Sequence, residues 1–305
     1  MNNRTNVLNC FKGEEYDRTP GSFWHHFPEC KWFAAAAVKA HTDLYREAGL
    51  GFLKIMEEIH YSFDIGKASD WKRYIPPKRN APERVAQREL ISRIADKLAG
   101  ETVIFTTIFD PLRTVGLPMG YDVIESQIAG DLKTVSGAFM AMAESISEYA
   151  ADCIAAGADG IFFSSKGSEK RRFDREVFES VVGRPDLFIC RAAAERSNFN
   201  ILHICGPDTE LEYYKDFPLS AINWDCHNGE YDLNKGAAVF PDKVILGGMN
   251  NRSGVLVEGT EDEIKQEVKD LIDGISFSNR FILGADCTLP EDIDYEKIRA
   301  ALQAL

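Results

Sequence analysis

Short apolar runs alternate with longer amphipathic ones along the chain. Runs rich in Ile, Val, Phe and Trp predict eight strands, at residues 21–24, 51–55, 102–107, 160–163, 200–204, 220–224, 243–247 and 280–283. Between most of them, apolar positions recur at helical spacing. The clearest stretch is 131–156, where Leu132, Val135, Phe139, Met142, Ile146, Tyr149 and Ile154 mark one face. In 261–272 the pattern repeats, with Ile264, Val268 and Leu271 on one side and Glu and Lys on the other. At Gly49 and Gly157 a helix ends and the chain turns directly into an apolar strand. Such strand–helix alternation predicts a parallel sheet covered by helices. Eight repeats predict a single α/β domain over residues 1–305, closed as a (β/α)8 TIM barrel. The charged stretch 67–93 reads as helix and loop decoration.

Charge narrows the partners. The 305 residues include 35 basic and 48 acidic ones, for a net charge of −13. That sum repels phosphate backbones and anionic membranes, so neither nucleic acid nor membrane is an expected partner. A chain this long buries about three-quarters of its unfolded surface and needs no disulfide staples. Its seven cysteines are an odd, scattered set: Cys10, Cys30, Cys153, Cys190, Cys205, Cys226 and Cys287. The first 18 residues are polar, and no run approaches the ~20 apolar residues of a membrane span. The expectation is a cytoplasmic protein whose free thiols can serve metals or catalysis.

In a barrel, chemistry sits where strands end. The residues there are His25 and His26; Glu57, Glu58 and His60; Asp110; Ser164, Ser165 and Lys166; His203 and Cys205; Asp225, Cys226 and His227; Asn250 and Asn251; Asp286 and Cys287. Five of the six histidines, all but His41, fall in this set. His203-Ile204-Cys205-Gly206 is the sharpest feature. Residues two apart on an extended segment face the same side, so His203 and Cys205 can chelate one ion. Cys287, at the end of the last predicted strand, supplies a third soft donor at the same barrel mouth. A His/Cys/Cys set suits Zn²⁺ and leaves a position open for substrate. The bland alternative is that these cysteines are small buried hydrophobes, as Cys10, Cys30, Cys153 and Cys190 are taken to be. For a fourth contact Asp225, His227, Glu57 and Glu58 stand open, as ligands or as hydrogen-bond partners of the bound imidazole.

Three segments carry a resemblance. The opening Arg4…Val7-Leu8…Phe11-Lys12-Gly13…Asp17-Arg18-Thr19-Pro20 resembles the start of the uroporphyrinogen decarboxylase superfamily. Ile201-Leu202-His203-Ile204-Cys205-Gly206 and Phe281-Ile282-Leu283-Gly284-Ala285-Asp286-Cys287-Thr288-Leu289-Pro290 also resemble it. The resemblance runs from Arg4 to about Ala301 and implies a (β/α)8 barrel. Its His-x-Cys…Cys set is similar to the zinc methyltransferase branch, which includes methylcobamide:coenzyme M methyltransferases and, distantly, cobalamin-independent methionine synthases. That implies zinc on His203, Cys205 and Cys287. The true decarboxylase carries an arginine-rich segment at the end of strand 1, whereas residues 23–29 here hold neither Arg nor Lys.

The expected function is therefore zinc-dependent methyl transfer between a corrinoid and a small thiol, methoxy or methylamine substrate. Methylcobalamin would be co-substrate, carried on a separate corrinoid protein. His25, His26, Glu57 and Asp225 are the candidate catalytic side chains, to orient substrate or relay protons. Trp24, Phe27, Phe109 and Phe163 are either pocket walls or ordinary core. Competing readings are a decarboxylase-type lyase without metal, and a non-catalytic zinc or corrinoid binder in which zinc only ties strands together.

Overall fold

The computed structural model describes residues 1–305 except His60 and Ala99. His60, expected at a strand end, thus lies outside the described residues. Seven strands form one parallel sheet in sequence order: β1 (Phe52–Ile55), β2 (Val103–Phe109), β3 (Gly160–Lys166), β4 (Ile201–Cys205), β5 (Ala221–Trp224), β6 (Val244–Met249) and β7 (Phe281–Ala285). Helical segments separate successive strands. Every strand residue except Phe109 and Lys166 is buried. Both faces of the sheet are covered, which explains why the strands read as unbroken apolar runs rather than alternating ones.

The first expected strand, 21–24, is not a regular strand. It makes isolated parallel bridges, Gly21 with Leu283 and His25 with Leu289. On the β7 side, Ser22 N–H donates to the Leu283 carbonyl at 2.8 Å and Leu283 N–H to the Pro20 carbonyl at 2.9 Å. Towards β1, the Gly51 N–H reaches the Gly21 carbonyl at 2.8 Å and the Ser22 hydroxyl reaches the Phe52 carbonyl at 2.7 Å. A side chain takes one place that a ladder would give to backbone, so the segment touches both edge strands without extending either. A Cβ on Gly51 would stand 2.8 Å from the Gly21 carbonyl, so this approach needs glycine.

The helices follow the sequence closely. The expected 131–156 helix spans Leu132–Ala155, and its cap is Asp131, whose side chain accepts from Thr134 N–H at 3.1 Å. Val135, Phe139, Met142, Ile146 and Tyr149 lie on its buried face. The 261–272 helix spans Glu261–Gly274 and starts with a capping box between Thr260 and Glu263. Helix Pro111–Met119 is capped by Asp110, which accepts from the Arg113 N–H. That cap places the Arg113 side chain one turn into the helix. Ser164, Ser165 and Lys166, expected past a strand end, belong to β3, and His203 and Cys205 belong to β4. The parallel register that pairs Ser164 with His203 and Lys166 with Cys205 carries both strands on to these polar residues. Among the described residues no helix is long and apolar enough to cross a membrane.

Candidate metal centre and adjoining cavity

The ends of β4 and β7 bring His203, Cys205 and Cys287 together. One ligand atom from each lies within 4.8 Å of the others. Cys287 Sγ is 3.4 Å from His203 Nε2. On the far side of the ring, Nδ1 is 2.6 Å from Asn223 Oδ1. Asn223 stands opposite His203 in the β4–β5 register. Its amide nitrogen donates to the carbonyls of Leu246 at 2.9 Å and Ala285 at 3.0 Å, so its oxygen must face the imidazole. An amide oxygen only accepts, so a proton sits on Nδ1, and in the neutral ring that leaves the Nε2 lone pair facing Cys287. The donors and the tautomer both suit a divalent cation of the zinc type.

Two cations border the sulfurs. Arg113 Nη1 donates to Cys205 Sγ at 2.8 Å, and its guanidinium lies 4.8 Å above the Phe109 ring. Lys54 sits buried in β1, its ammonium 4.4 Å from the Phe162 ring centre and 5.1 Å from that of Trp24. Phe162 in turn packs on the His203 ring, with centroids 5.7 Å apart. Burial lowers Lys54 to about 7. The Cys287 thiol falls to about 5, chiefly through the hydrogen bond it takes from Cys205, with the Thr288 backbone N–H, Arg113 and Lys54 adding to the effect. Cys205, as the donor of that bond, is raised. In the metal-free protein one proton is thus held between two sulfurs.

Arg113 also lines a cavity of about 330 Å³ together with His26, Glu57, Glu58, Tyr61 and Phe109. His26 Nδ1 lies 2.9 Å from Glu58 Oε1. Glu57 is 5% exposed, and its Oε2 has no hydrogen-bond partner. Burial pushes its carboxyl up to about 8, against the pull of Arg84 and the Phe109 N–H. His26 and Glu57 therefore both line the cavity. His25 does not line the cavity. It packs against Phe27, with Nδ1 2.7 Å from the His26 carbonyl oxygen and Nε2 2.9 Å from the Tyr295 hydroxyl. Asp225 is spent on a turn, where Oδ1 accepts from the N–H groups of His227 at 3.1 Å and Asn228 at 2.9 Å. Of the four candidate aromatics, Phe109 lines the cavity, while Trp24, Phe27 and Phe163 are buried core.

A second donor group lies beside the first. Asp286 is fully buried and accepts from Cys226 N–H at 3.1 Å, Cys226 Sγ at 3.2 Å and His227 Nδ1 at 2.6 Å. These bonds satisfy the carboxylate and tie the loop after β5 to the residue preceding Cys287. Asn223, Arg113 and Lys54 were missed from sequence. The available signal was a polar residue inside an otherwise apolar strand, as in Phe52-Leu53-Lys54-Ile55 and Ala221-Ile222-Asn223-Trp224.

The sequence profile for uroporphyrinogen decarboxylase (URO-D) matches residues 61–305. The chain belongs to the uroporphyrinogen decarboxylase family. No curated protein sequence matches it significantly. Among solved structures, a methyltransferase from Methanosarcina mazei is similar over 100% of this chain and 98% of its own, at 17% identity and a TM-score of 0.83. A B12-independent methionine synthase from Shewanella sp. W3-18-1 is similar over 94% of this chain and 96% of its own, at 13% identity and a TM-score of 0.58. A putative vitamin-B12-independent methionine synthase from Listeria monocytogenes covers 88% of this chain and 84% of its own, at 14% identity and a TM-score of 0.54. At such identities the likeness is one of fold. Within the uroporphyrinogen decarboxylase family, then, this chain places two thiols and an imidazole at the ends of β4 and β7.

Proposed function

We propose that this family member is a zinc-dependent methyltransferase, moving a methyl group between a corrinoid and a small thiol, methoxy or methylamine substrate. The convergence of His203, Cys205 and Cys287 carries the reading. We read the 21–25 segment as the eighth stave of a closed (β/α)8 barrel, with the donor set at its mouth. Zinc, held by those three residues, would supply a Lewis acid with a position left for substrate. Asn223 keeps the Nε2 lone pair turned to the centre. Arg113 bridges the centre to the cavity, since it touches Cys205 and lines the cavity wall. Glu57 and the His26–Glu58 pair hold protons beside the substrate space.

Two observations disfavour the competing readings. A cavity of about 330 Å³ is small for a tetrapyrrole, and Glu58 and Glu291 in its wall repel carboxylates. A purely structural site would close with a fourth ligand from Asp225 or His227, but Asp225 makes a turn and His227 binds Asp286. The test is metal analysis of the parent, Cys205→Ala and Cys287→Ala, followed by corrinoid demethylation or methylation assays across thiols, methoxy compounds and methylamines. One zinc per parent chain, lost in both variants, together with methyl exchange is expected. Full zinc in both variants would reject the ligand set.

A further inference from the structure

We propose that Cys226, His227 and Asp286 form a second cation site, open to solvent and weaker than the first, for a divalent ion of the zinc type. It does not rest on the methyltransferase reading.

All three residues stand at strand ends, Cys226 and His227 past β5 and Asp286 just past β7. One ligand atom from each lies within 4.8 Å of the others, and none of the three belongs to the His203, Cys205 and Cys287 set. A tetrahedral zinc with sulfur at about 2.3 Å and nitrogen at about 2.0 Å sets those two atoms about 3.5 Å apart. Cys226 Sγ and His227 Nδ1 are 3.5 Å apart. The carboxylate stands closer than such an ion needs, because both groups donate hydrogen bonds to it: Oδ1 is 3.2 Å from the sulfur and Oδ2 is 2.6 Å from the nitrogen. The His227 side chain is 35% exposed, so its ring has room to swing outwards as the ion replaces that short bond. The Cys226 N–H keeps its own bond to Oδ1 at 3.1 Å, which leaves Oδ2 to turn to the ion.

Binding balances in charge. The Cys226 thiol gives its proton to solvent, and the neutral His227 ring moves its proton from Nδ1 to Nε2. The two positive charges of the ion then meet one thiolate and one carboxylate, so a cluster that was anionic becomes neutral. The surroundings favour the exchange. Cys226 and His227 line a cavity of about 340 Å³ whose wall also carries Asp232 and Asp270. Lys235 offsets Asp232 at 3.3 Å, but no Lys or Arg is among the described residues lining the cavity. Such a field concentrates cations at the wall. A sulfur, a nitrogen and an oxygen donor together prefer zinc or cobalt to magnesium or calcium. With one sulfur instead of two and an open side, this site fills after the first and empties on dialysis. When filled, it ties the loop after β5 to the residue preceding Cys287 through an ion in place of two hydrogen bonds.

The test is titration with cobalt(II) of metal-free protein that has first been given one equivalent of zinc, which cobalt does not displace from a shared donor set. A further equivalent of cobalt should bind, with a sulfur-to-cobalt charge-transfer band in the near ultraviolet, and about a hundredfold excess of magnesium should leave the band in place. Cys226→Ser and His227→Asn each keep a hydrogen-bond donor to Asp286, so a merely structural role survives in both. Each should weaken the second cobalt by at least about tenfold, since a lost ligand costs no less than a lost outer partner. Cys226→Ser should also abolish the band, and both variants should take up the first zinc as the parent does. Cobalt should raise the urea midpoint of the zinc-loaded parent and leave that of the variants nearly unmoved. No cobalt bound beyond the zinc, cobalt bound without the band, or parental cobalt affinity in both variants overturns the inference.

Discussion

Removing the Asn223 side chain tests whether His203 is a ligand prepared by its neighbours. Asn223 makes three buried hydrogen bonds, one at 2.6 Å to His203 Nδ1 and two to the carbonyls of Leu246 and Ala285. In Asn223→Ala the imidazole loses its orientation, and either tautomer becomes available. Loss of such an outer partner costs about 10- to 100-fold in metal affinity, or about 1.4–2.7 kcal/mol. The three lost hydrogen bonds, at about 1 kcal/mol each, remove about 3 kcal/mol of stability from the metal-free protein. Competition with a chromophoric chelator reads the first number and urea unfolding of the metal-free protein reads the second. A folded variant that binds zinc within about twofold of the parent would refute the role given to Asn223, and with it the fixed tautomer.

Three further outcomes follow from single sites. In metal-free protein Cys287, lowered to about 5 mainly by Cys205, should react with iodoacetamide at pH 6.5, slow only as pH falls through 5, and slow at pH 6.5 in Cys205→Ala; reaction confined to pH above 8 would contradict this. Buried His41 donates through Nδ1 to Ala37 and accepts from Met56 through Nε2, and burial lowers it to about 4. The unfolded chain takes up that proton first, so stability is complete above pH 6.5 and falls by about 3 kcal/mol as pH drops towards 4. His41→Asn should flatten this slope in urea titrations, and an unchanged slope would count against it. A Cβ on Gly160 would stand 1.7 Å from the Phe199 carbonyl, so Gly160→Ala should cost about 3 kcal/mol or more. Denaturant unfolding within experimental error of the parent would contradict that packing.

The sheet was legible because helix-covered parallel strands must be apolar on both faces, and seven of the eight expected runs are the seven strands. The eighth, 21–24, failed as a regular strand for a reason local composition hides: its edge contact with β1 uses a serine hydroxyl and a glycine ahead of that strand. The convergence of His203, Cys205 and Cys287 was legible because His203 and Cys205 share a face and Cys287 ends the last strand. Which of the neighbouring polar residues serve them was not. Asp225 and Asn223 lie two apart on one chain, yet only Asn223 falls in register with His203. His25 and His26 are adjacent, so they point to opposite sides, and only His26 reaches the cavity. Arg113 was hidden because its position depends on the Asp110 cap that starts its helix.

X-ray absorption at the zinc edge of the purified protein tests the convergence of the two thiols and the imidazole most directly. Two sulfur neighbours at about 2.3 Å and a nitrogen at about 2.0–2.1 Å are expected, with one sulfur gone in Cys287→Ala. A shell of nitrogen and oxygen alone, or two sulfurs retained in that variant, would contradict it.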